Sequence, residues 1–82
     1  MNLNYKQIIV TGTIGNQQKQ IISQKRFPTD GIYDIWIDKE YQGQVLKMTG
    51  RWGVYPHEES WLKGENCDLI LQAVLNIENP NS

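Results

Sequence analysis

The first third of the chain alternates apolar and polar side chains over two segments that a glycine–asparagine pair separates. Val10 points to one side of the first segment and Ile9 to the other, a period of two that is typical of a β-strand. Gly15-Asn16 fits the two-residue loop of a type II′ hairpin turn, in which glycine takes the first position. This loop sets Val10 opposite Ile21 and Ile9 opposite Ile22, so both sides of the predicted hairpin carry an apolar pair.

A second alternating segment runs from Tyr33 to Lys39, and another apolar segment follows after residues 40–43. Two hairpin registers are open here. Pairing Glu40 with Gln44 puts the apolar residues of the later strand on the face that carries aspartates. Pairing Lys39 with Gln44 keeps one face apolar throughout and makes 40–43 a four-residue loop that ends in glycine. Because burial of one face specifies a register, we predict the second pairing.

The chosen register divides the side chains of this region between two faces. It sets Ile37 opposite Leu46 and Ile35 opposite Met48, and the fourth strand continues through a bend to Tyr55. The predicted core face carries Tyr33, Ile35, Ile37, Leu46, Met48, Trp52 and Val54. The outer face carries a predicted binding site of Trp36, Lys47, Arg51 and Tyr55. Lys47 is expected directly across from Trp36, with its ammonium over the ring, and Trp, Tyr and Arg are the types enriched at binding hot spots.

Residues 67–78 fit two templates equally well. As a strand, every odd position from Cys67 to Ile77 is apolar. As a helix, the segment carries a polar stripe at four-residue spacing. The stripe consists of Asp68, Gln72 and Asn76. The β-branched residues of the segment and the lack of a capping box before it favour the strand, and the helix is kept as the alternative.

These elements predict one small domain that spans residues 1–82. The predicted fold class is all-β, a five-stranded antiparallel barrel or sandwich built from two hairpins plus the C-terminal strand. The alternative is an α+β fold, with residues 67–78 as a helix packed on a four-stranded sheet. Residues 27–31 are expected to form a turn, while residues 1–5 and 79–82 are expected to be a loose lead-in and a frayed end.

The charge balance limits the classes of partner. Eight Lys and Arg residues against nine Asp and Glu residues give a net charge of −1. Nonspecific binding to nucleic acid or to an anionic membrane needs a basic surface, so neither is expected, and single-stranded nucleic acid on the aromatic face is kept only as a weaker third candidate. No apolar segment approaches the roughly 20 residues that cross a bilayer, and no cationic start with an apolar run marks a secretory signal. A cytoplasmic location is therefore expected.

Groups that could support catalysis or metal binding are few. Cys67 is the only cysteine and His57 the only histidine, so no internal disulfide can form. The alternation around Cys67 is that of a buried small apolar residue rather than of a nucleophile. His57, Glu58, Glu59 and Cys67 lack any known ligand spacing, so we expect no metal site.

Two aspartates are the remaining candidates for chemistry. Asp34 and Asp38 flank Trp36 on one strand face, an arrangement that can serve acid–base work or contact with a sugar. Carboxylates on a strand more often keep an exposed face soluble, and we interpret this pair in that way. No cofactor is predicted, and the protein is not expected to be an enzyme.

Two functions from different classes fit this sequence. The first is a small non-enzymatic binding protein that acts through protein–protein interaction, as adaptors, inhibitors and immunity-type proteins do. It is expected to bind another protein, or a second copy of itself as a homodimer, through the predicted outer site or at a sheet edge. The alternative is a β-barrel that binds a small molecule or carbohydrate at its mouth. The residues expected near that mouth are Trp52, Trp61, Arg51 and His57. The outer site has an alternative of its own, in which the C-terminal segment or a second sheet layer buries it.

Overall fold

The computed structural model describes residues 7–26 and 31–78, which form five β-strands followed by one α-helix. The elements in chain order are β1 (Gln7–Ile14), β2 (Gln17–Lys25), β3 (Ile32–Ile37), β4 (Glu40–Met48), β5 (Arg51–Pro56) and α1 (Gly64–Glu78). The lead-in predicted at 1–5, most of the turn predicted at 27–31 and the C-terminal end lie outside the described residues.

The strands form one antiparallel sheet in which each strand pairs with its neighbour in sequence. The sheet curls into a half-barrel, and α1 packs on its inner side, where it contacts the two edge strands β1 and β5. The predicted antiparallel sheet is confirmed and has five strands, but the fifth strand is not the predicted C-terminal segment. The predicted barrel or sandwich is instead an open curled sheet that a helix covers.

The first hairpin has the predicted register. Val10 pairs with Ile21 and Ile9 pairs with Ile22, and the loop between the strands is Gly15-Asn16. Gly15 has a φ of 62°, the positive value that the first position of a type II′ turn requires. Local sequence was sufficient here because glycine marks the turn.

The predicted register of the second hairpin is wrong. Its turn is Asp38-Lys39, and both residues have positive φ, 51° and 67°, as a two-residue type I′ turn requires. Strand β4 therefore begins at Glu40, and residues 40–43 form part of the strand rather than a loop. The pairing shifts between Ile35 and Trp36, where a β-bulge accommodates Gly43.

Gly43 serves this bulge and not a turn. Its φ is 143°, and a Cβ at this position would lie 2.5 Å from the carbonyl oxygen of Tyr55 and 2.7 Å from Cα of Pro56. A side chain would therefore collide with the backbone of β5. The extra residue of the bulge reverses the expected facing of the rest of β4.

Because of the shifted register, the side chains of β4 that follow the bulge lie on the face opposite to the predicted one. Val45, expected on the outer face, is fully buried and pairs with Tyr33. Met48, expected in the core, is 53% exposed, and Leu46 is half-buried on the outer face beside Gly53. Trp52 and Val54 pack against the core as predicted.

The predicted fourth strand is in fact two strands. Thr49 and Gly50 have φ values of 48° and 78° and form a second tight turn, after which β5 returns along β4. The sheet thus reaches five strands without the C-terminal segment. That segment is free to be a helix.

The predicted C-terminal strand is wrong. The helix of the alternative fold is confirmed, but it packs on a sheet of five strands rather than four. Ile70 and Val74 are buried one turn apart in α1, together with Asn66. In a strand, these even-numbered residues would share a face with Asp68, and the leucines would lie on the other face. In a helix, residues four positions apart lie on the same side, so Ile70 and Val74 form one apolar stripe without Asp68. The inner face of the sheet needs an apolar cover, and burying the two aliphatic side chains contributes about 2 kcal/mol each.

The core lies between the inner face of the sheet and α1. Its buried members are Ile8, Ile21, Tyr33, Ile35, Ile37, Val45, Leu62, Ile70 and Val74. Tyr33 is fully buried, and its hydroxyl donates a hydrogen bond to Glu78 Oε2 at 2.5 Å. Burial, and then this hydrogen bond, raises the pKa of Tyr33 well above its usual value. Lys25 Nζ lies 3.9 Å from the same carboxylate oxygen, so the end of α1 is attached to β2 and β3.

Candidate functional site

An apolar row crosses the outer face of the sheet, on the side opposite α1. Ile9 of β1 pairs with Ile22 of β2, Ile22 pairs with Trp36 of β3, and Trp36 pairs with Tyr41 of β4. We call these four residues the outer row. Ile9 is 53% exposed and Tyr41 37%, while Ile22 and Trp36 are half-buried. Cross-strand neighbours on one face stabilise a sheet, and here they also make a continuous apolar surface.

Aromatic contacts extend the outer row beyond its last strand. The rings of Trp36 and Tyr41 meet edge to face at 5.3 Å, and the Tyr41 ring stacks on His57 at 6.0 Å. Burial is the main cause of a raised pKa at Tyr41, and the nearby negative charge of Asp34 adds to it. The phenol is therefore neutral at physiological pH.

Hydrogen bonds hold His57 in one tautomer. Its Nδ1 accepts a bond of 3.0 Å from the backbone N–H of Glu59 and so carries no proton. Its Nε2 therefore donates the bond of 2.6 Å to the carbonyl oxygen of Tyr41. Both ring nitrogens are occupied by the backbone, so His57 serves as a structural end to the outer row.

A buried glutamine anchors the segment that follows His57. Gln42, 2% exposed, accepts hydrogen bonds at Oε1 from Ser60 Oγ at 3.0 Å and from the backbone N–H of Trp61 at 2.8 Å. Its backbone carbonyl accepts from the N–H of His57 at 3.0 Å. Gln42 is the extra residue of the β-bulge and faces inward, so this irregularity of β4 positions the connection to α1.

Neutral polar groups border the outer row on one long side. Gln7 Nε2 donates to Gln24 Oε1 at 3.1 Å across β1 and β2. Arg26 binds Asp34 through two hydrogen bonds, of 3.1 and 2.6 Å, so their charges cancel locally. A shallow groove of about 290 Å³ lies among Gln7, Ile22, Gln24, Trp36 and Lys39. The Gln7–Gln24 and Arg26–Asp34 pairs form hydrogen bonds without presenting a net charge, and Lys39 adds one positive charge at the groove.

The structure separates the four residues of the predicted site. Trp36, Arg51 and Tyr55 lie on the outer face as predicted, but Lys47 pairs with Trp52 and points to the side of Val45. Arg51 pairs with Met48 at the far end of β4, about 20 Å along the strand from Trp36 at 3.3 Å per residue. The predicted contact between Lys47 and Trp36 is therefore wrong.

Tyr55 covers the surface between these two ends. It pairs with Gln44, and its hydroxyl lies 3.0 Å from the position that a Cβ at Gly53 would occupy. The ring therefore lies flat against the sheet over a glycine, and it is 48% exposed. Tyr55 adds apolar area to the outer face but does not join the outer row.

Sequence reasoning missed Ile9, Ile22, Tyr41 and His57. The signal for the first two was available, because the predicted first hairpin already places Ile9 opposite Ile22 on one side of the sheet. The predicted register makes Tyr41 a loop residue, and a loop residue has no defined facing. With the turn at Asp38-Lys39, Tyr41 comes opposite Trp36 and the row becomes continuous.

The residues of the alternative ligand site do not converge. Trp52 and Arg51 lie beside the Thr49-Gly50 turn, whereas His57 lies past the other end of β5. Trp61 lines a crevice of about 420 Å³ between the tip of the first hairpin and the start of α1, with Thr13, Ile14, Gly15, Ser60, Lys63 and Asn66. The inside of the half-barrel is occupied by the fully buried Tyr33, Ile35, Ile37 and Val45.

Two further features bear on possible chemistry. Within residues 7–26 and 31–78 no three His, Cys, Asp or Glu side chains are grouped closely enough to hold a metal ion, and no helix is long and apolar enough to span a membrane. Cys67 is half-buried, and burial, followed by the charge of Asp68, raises the pKa of its thiol. A raised pKa disfavours the thiolate, the form in which a cysteine reacts.

Comparison with known proteins adds no family to this description. A scan against protein-family models, a search of curated proteins and a search of solved structures each found no match to the chain.

Proposed function

We propose that the protein is a small non-enzymatic interaction module that binds a protein partner through the outer row. The observation that carries this proposal is the unbroken apolar row across four strands on the face that α1 does not cover. Exposed, contiguous apolar surface with a polar border is typical of protein interaction sites.

The chemistry of the outer row favours a protein surface of apolar side chains with neutral polar groups around them. The border offers amides, a self-neutralised Arg26–Asp34 pair and the single cation Lys39 rather than a cationic patch. A nucleic acid or an anionic lipid headgroup needs a basic surface, which one lysine does not supply. The Trp36 and Tyr41 rings meet at 69°, which makes a ridge and not the level platform on which a sugar ring stacks.

The area of the outer face indicates the class of complex that it can form. Five strands about 4.8 Å apart, each about 20 Å long, present roughly 500 Å². Standard interfaces bury about 800 Å² on each partner, and smaller ones belong to transient complexes. We therefore expect a transient, reversible complex.

The test compares two single substitutions, one of a tryptophan and one of an arginine, at positions that lie far apart on the outer face. Trp36→Ala removes the centre of the outer row, while Arg51→Ala removes an exposed charge about 20 Å away on the same face. Proteins captured by the wild-type chain are compared with those captured by each variant, and a binder lost only with Trp36→Ala is purified for calorimetry.

The expected result is a loss of affinity of about tenfold or more with Trp36→Ala and little change with Arg51→Ala. Circular dichroism of both variants controls for folding. The proposal is rejected when every captured protein binds the Trp36→Ala chain as well as it binds the wild type. A loss confined to Arg51→Ala would move the site to the opposite end of the sheet.

A further inference from the structure

The outer edge of β1 is not paired with another strand in the described part of the chain. The strand order places β1 and β5 at the two edges of the sheet, and no ladder joins them. In the Gly15-Asn16 hairpin the residues that flank the loop, Ile14 and Gln17, form a hydrogen-bonded pair. Counting towards the start of β1, every second residue from Ile14 also directs its backbone N–H and C=O groups to β2. The alternate residues direct these groups away from the sheet.

The outward backbone groups of β1 therefore belong to Gln7, Ile9, Thr11 and Thr13. An independent contact supports this alternation, because the Thr13 carbonyl accepts a bond of 2.9 Å from Asn66 Nδ2 of α1. That carbonyl is available to a side chain only because the ladder with β2 does not use it. The outward backbone groups of the other three residues have no backbone hydrogen-bond partner outside the ladders within residues 7–26 and 31–78.

The side chains of β1 leave this edge open. The strand is eight residues long, QIIVTGTI, and contains no charged residue and no proline. Natural sheets protect their edges with such residues, with short strands or with bulges. The opposite edge has that protection, because β5 is six residues long, begins at Arg51 and ends at Pro56.

We propose that β1 pairs antiparallel with β1 of a second copy of this chain, with Ile9 on the two-fold axis. This register pairs Ile9 with Ile9, and Gln7 with Thr11 in both directions. It uses the three residues whose outward backbone groups have no backbone partner among the described residues, and it stops before Thr13, whose carbonyl already accepts from Asn66. Registers that place another outward residue of the described strand on the two-fold axis either leave out one of these three residues or involve Thr13.

A second copy fits this edge better than an unrelated strand does. Antiparallel pairing of identical strands is isologous, so one surface serves both partners. The absence of charge on β1 means that no like charges face each other across the axis. On the outer face the two Ile9 side chains, each 53% exposed, become cross-strand neighbours, and on the inner face Ile8 comes opposite Val10.

This pairing lies on an edge rather than a face and does not depend on the proposed partner of the outer row. It would join the two outer rows end to end across a continuous sheet. Failure of one proposal leaves the other standing, since Trp36 takes no part in the edge contact and Thr11 takes no part in the outer row.

The oligomeric state of the wild-type chain is the first measurement, by sedimentation velocity over a wide micromolar range. Thr11→Pro removes an outward N–H without affecting the ladder to β2, and edge strands tolerate proline at such positions. The matched control is Thr11→Ala, which keeps the N–H. We expect a concentration-dependent dimer for the wild type and for Thr11→Ala, and a Kd raised by about tenfold or more in Thr11→Pro. A wild-type monomer throughout the range overturns the proposal.

Disulfide cross-linking tests the register without a variant that risks unfolding. In a Cys67→Ala background, Ile9→Cys places two thiols on the two-fold axis with Cα atoms about 5.5 Å apart, within the range of a disulfide. We expect a covalent dimer from Ile9→Cys alone. Gln7→Cys alone should cross-link poorly, but an equal mixture of Gln7→Cys and Thr11→Cys should cross-link well. A dimer in which Gln7→Cys cross-links with itself and Ile9→Cys does not would disprove the proposed register.

Discussion

The side chain of Asn66 in α1 lies directly over Gly12 of β1. A Cβ at Gly12 would lie 2.5 Å from Asn66 Oδ1 and 2.8 Å from Ile21 Cδ1. Glycine at this position therefore lets the first turn of the helix approach the sheet, and Asn66 uses that approach to donate its hydrogen bond to Thr13.

Gly12→Ala should destabilise the fold by about 1–3 kcal/mol, because the added methyl group overpacks this contact. Urea unfolding measures the change. In an Asn66→Ala background the same substitution should cost clearly less, since the main obstacle is gone. Thr11→Ala, on the other face of β1, is the control and should be close to neutral. Equal costs of Gly12→Ala in the two backgrounds would mean that the helix does not set the limit on residue 12.

Gln42→Leu should loosen the segment between β5 and α1. The substitution keeps the size of the buried side chain but removes the acceptor for Ser60 Oγ and the Trp61 N–H, at a cost of about 1–3 kcal/mol. Hydrogen exchange at the Trp61 amide should become faster. Gln44→Leu is the matched control, because it lies two residues along β4 on the outer face, and it should leave that exchange unchanged. Unaltered protection in Gln42→Leu would count against the anchor.

Lys39→Gly should stabilise the protein. Lys39 has a φ of 67° in a type I′ turn, a conformation that costs an L-residue about 1 kcal/mol and glycine nothing. The thermal midpoint should rise by roughly 4–8 °C for each kcal/mol gained in a domain of this size. Lys39→Ala also removes the charge but keeps a Cβ, so it should bring no such gain. A rise of equal size in both variants would attribute the effect to charge instead of to backbone conformation.

Stability should fall at alkaline pH because of Tyr33. Burial and the bond to Glu78 raise the pKa of its phenol, so the folded protein keeps the proton after the unfolded chain has lost it. The stabilisation is complete below the usual pKa near 10 and is lost as the pH rises beyond it, by at most about 1.4 kcal/mol per pH unit.

Tyr33→Phe should remove that slope in urea unfolding between mildly and strongly alkaline pH. Cys67, whose pKa burial also raises, gives a second slope at lower pH, so both proteins should carry Cys67→Ala. Tyr41 is present in both and cancels. The same slope in Tyr33→Phe as in its parent would assign the alkaline loss to other groups.

In the two predicted hairpins, the sequence predicts the turn correctly where a glycine occupies that turn, and incorrectly where the turn contains no glycine. The first hairpin was predicted correctly because Gly15 occupies the turn that it marks. Asp38-Lys39 adopts the left-handed conformation without glycine, so the second turn gave no signal, and the glycine at 43 was assigned to a loop when it serves a bulge. That single error moved the start of β4 and exchanged the facing of Val45.

The helix and the candidate site depended on tertiary structure. Residues 67–78 satisfy a period of two and a period near four, and only the need to cover the inner face of the sheet decides between them. The predicted site contained Trp36, which is central to the outer row, but Tyr41 could be placed beside it only from the true register.

The order of strands in the sheet also determines the order in which contacts can form. Every ladder joins consecutive segments of the chain, so each hairpin can close locally as soon as its second strand has left the ribosome. The helix that covers the core is made after all five strands, yet it touches the first of them, and Asn66 reaches back 53 residues to Thr13. The sheet can therefore assemble progressively during synthesis while its inner face stays uncovered, and only the 15-residue helix completes a cooperative unit.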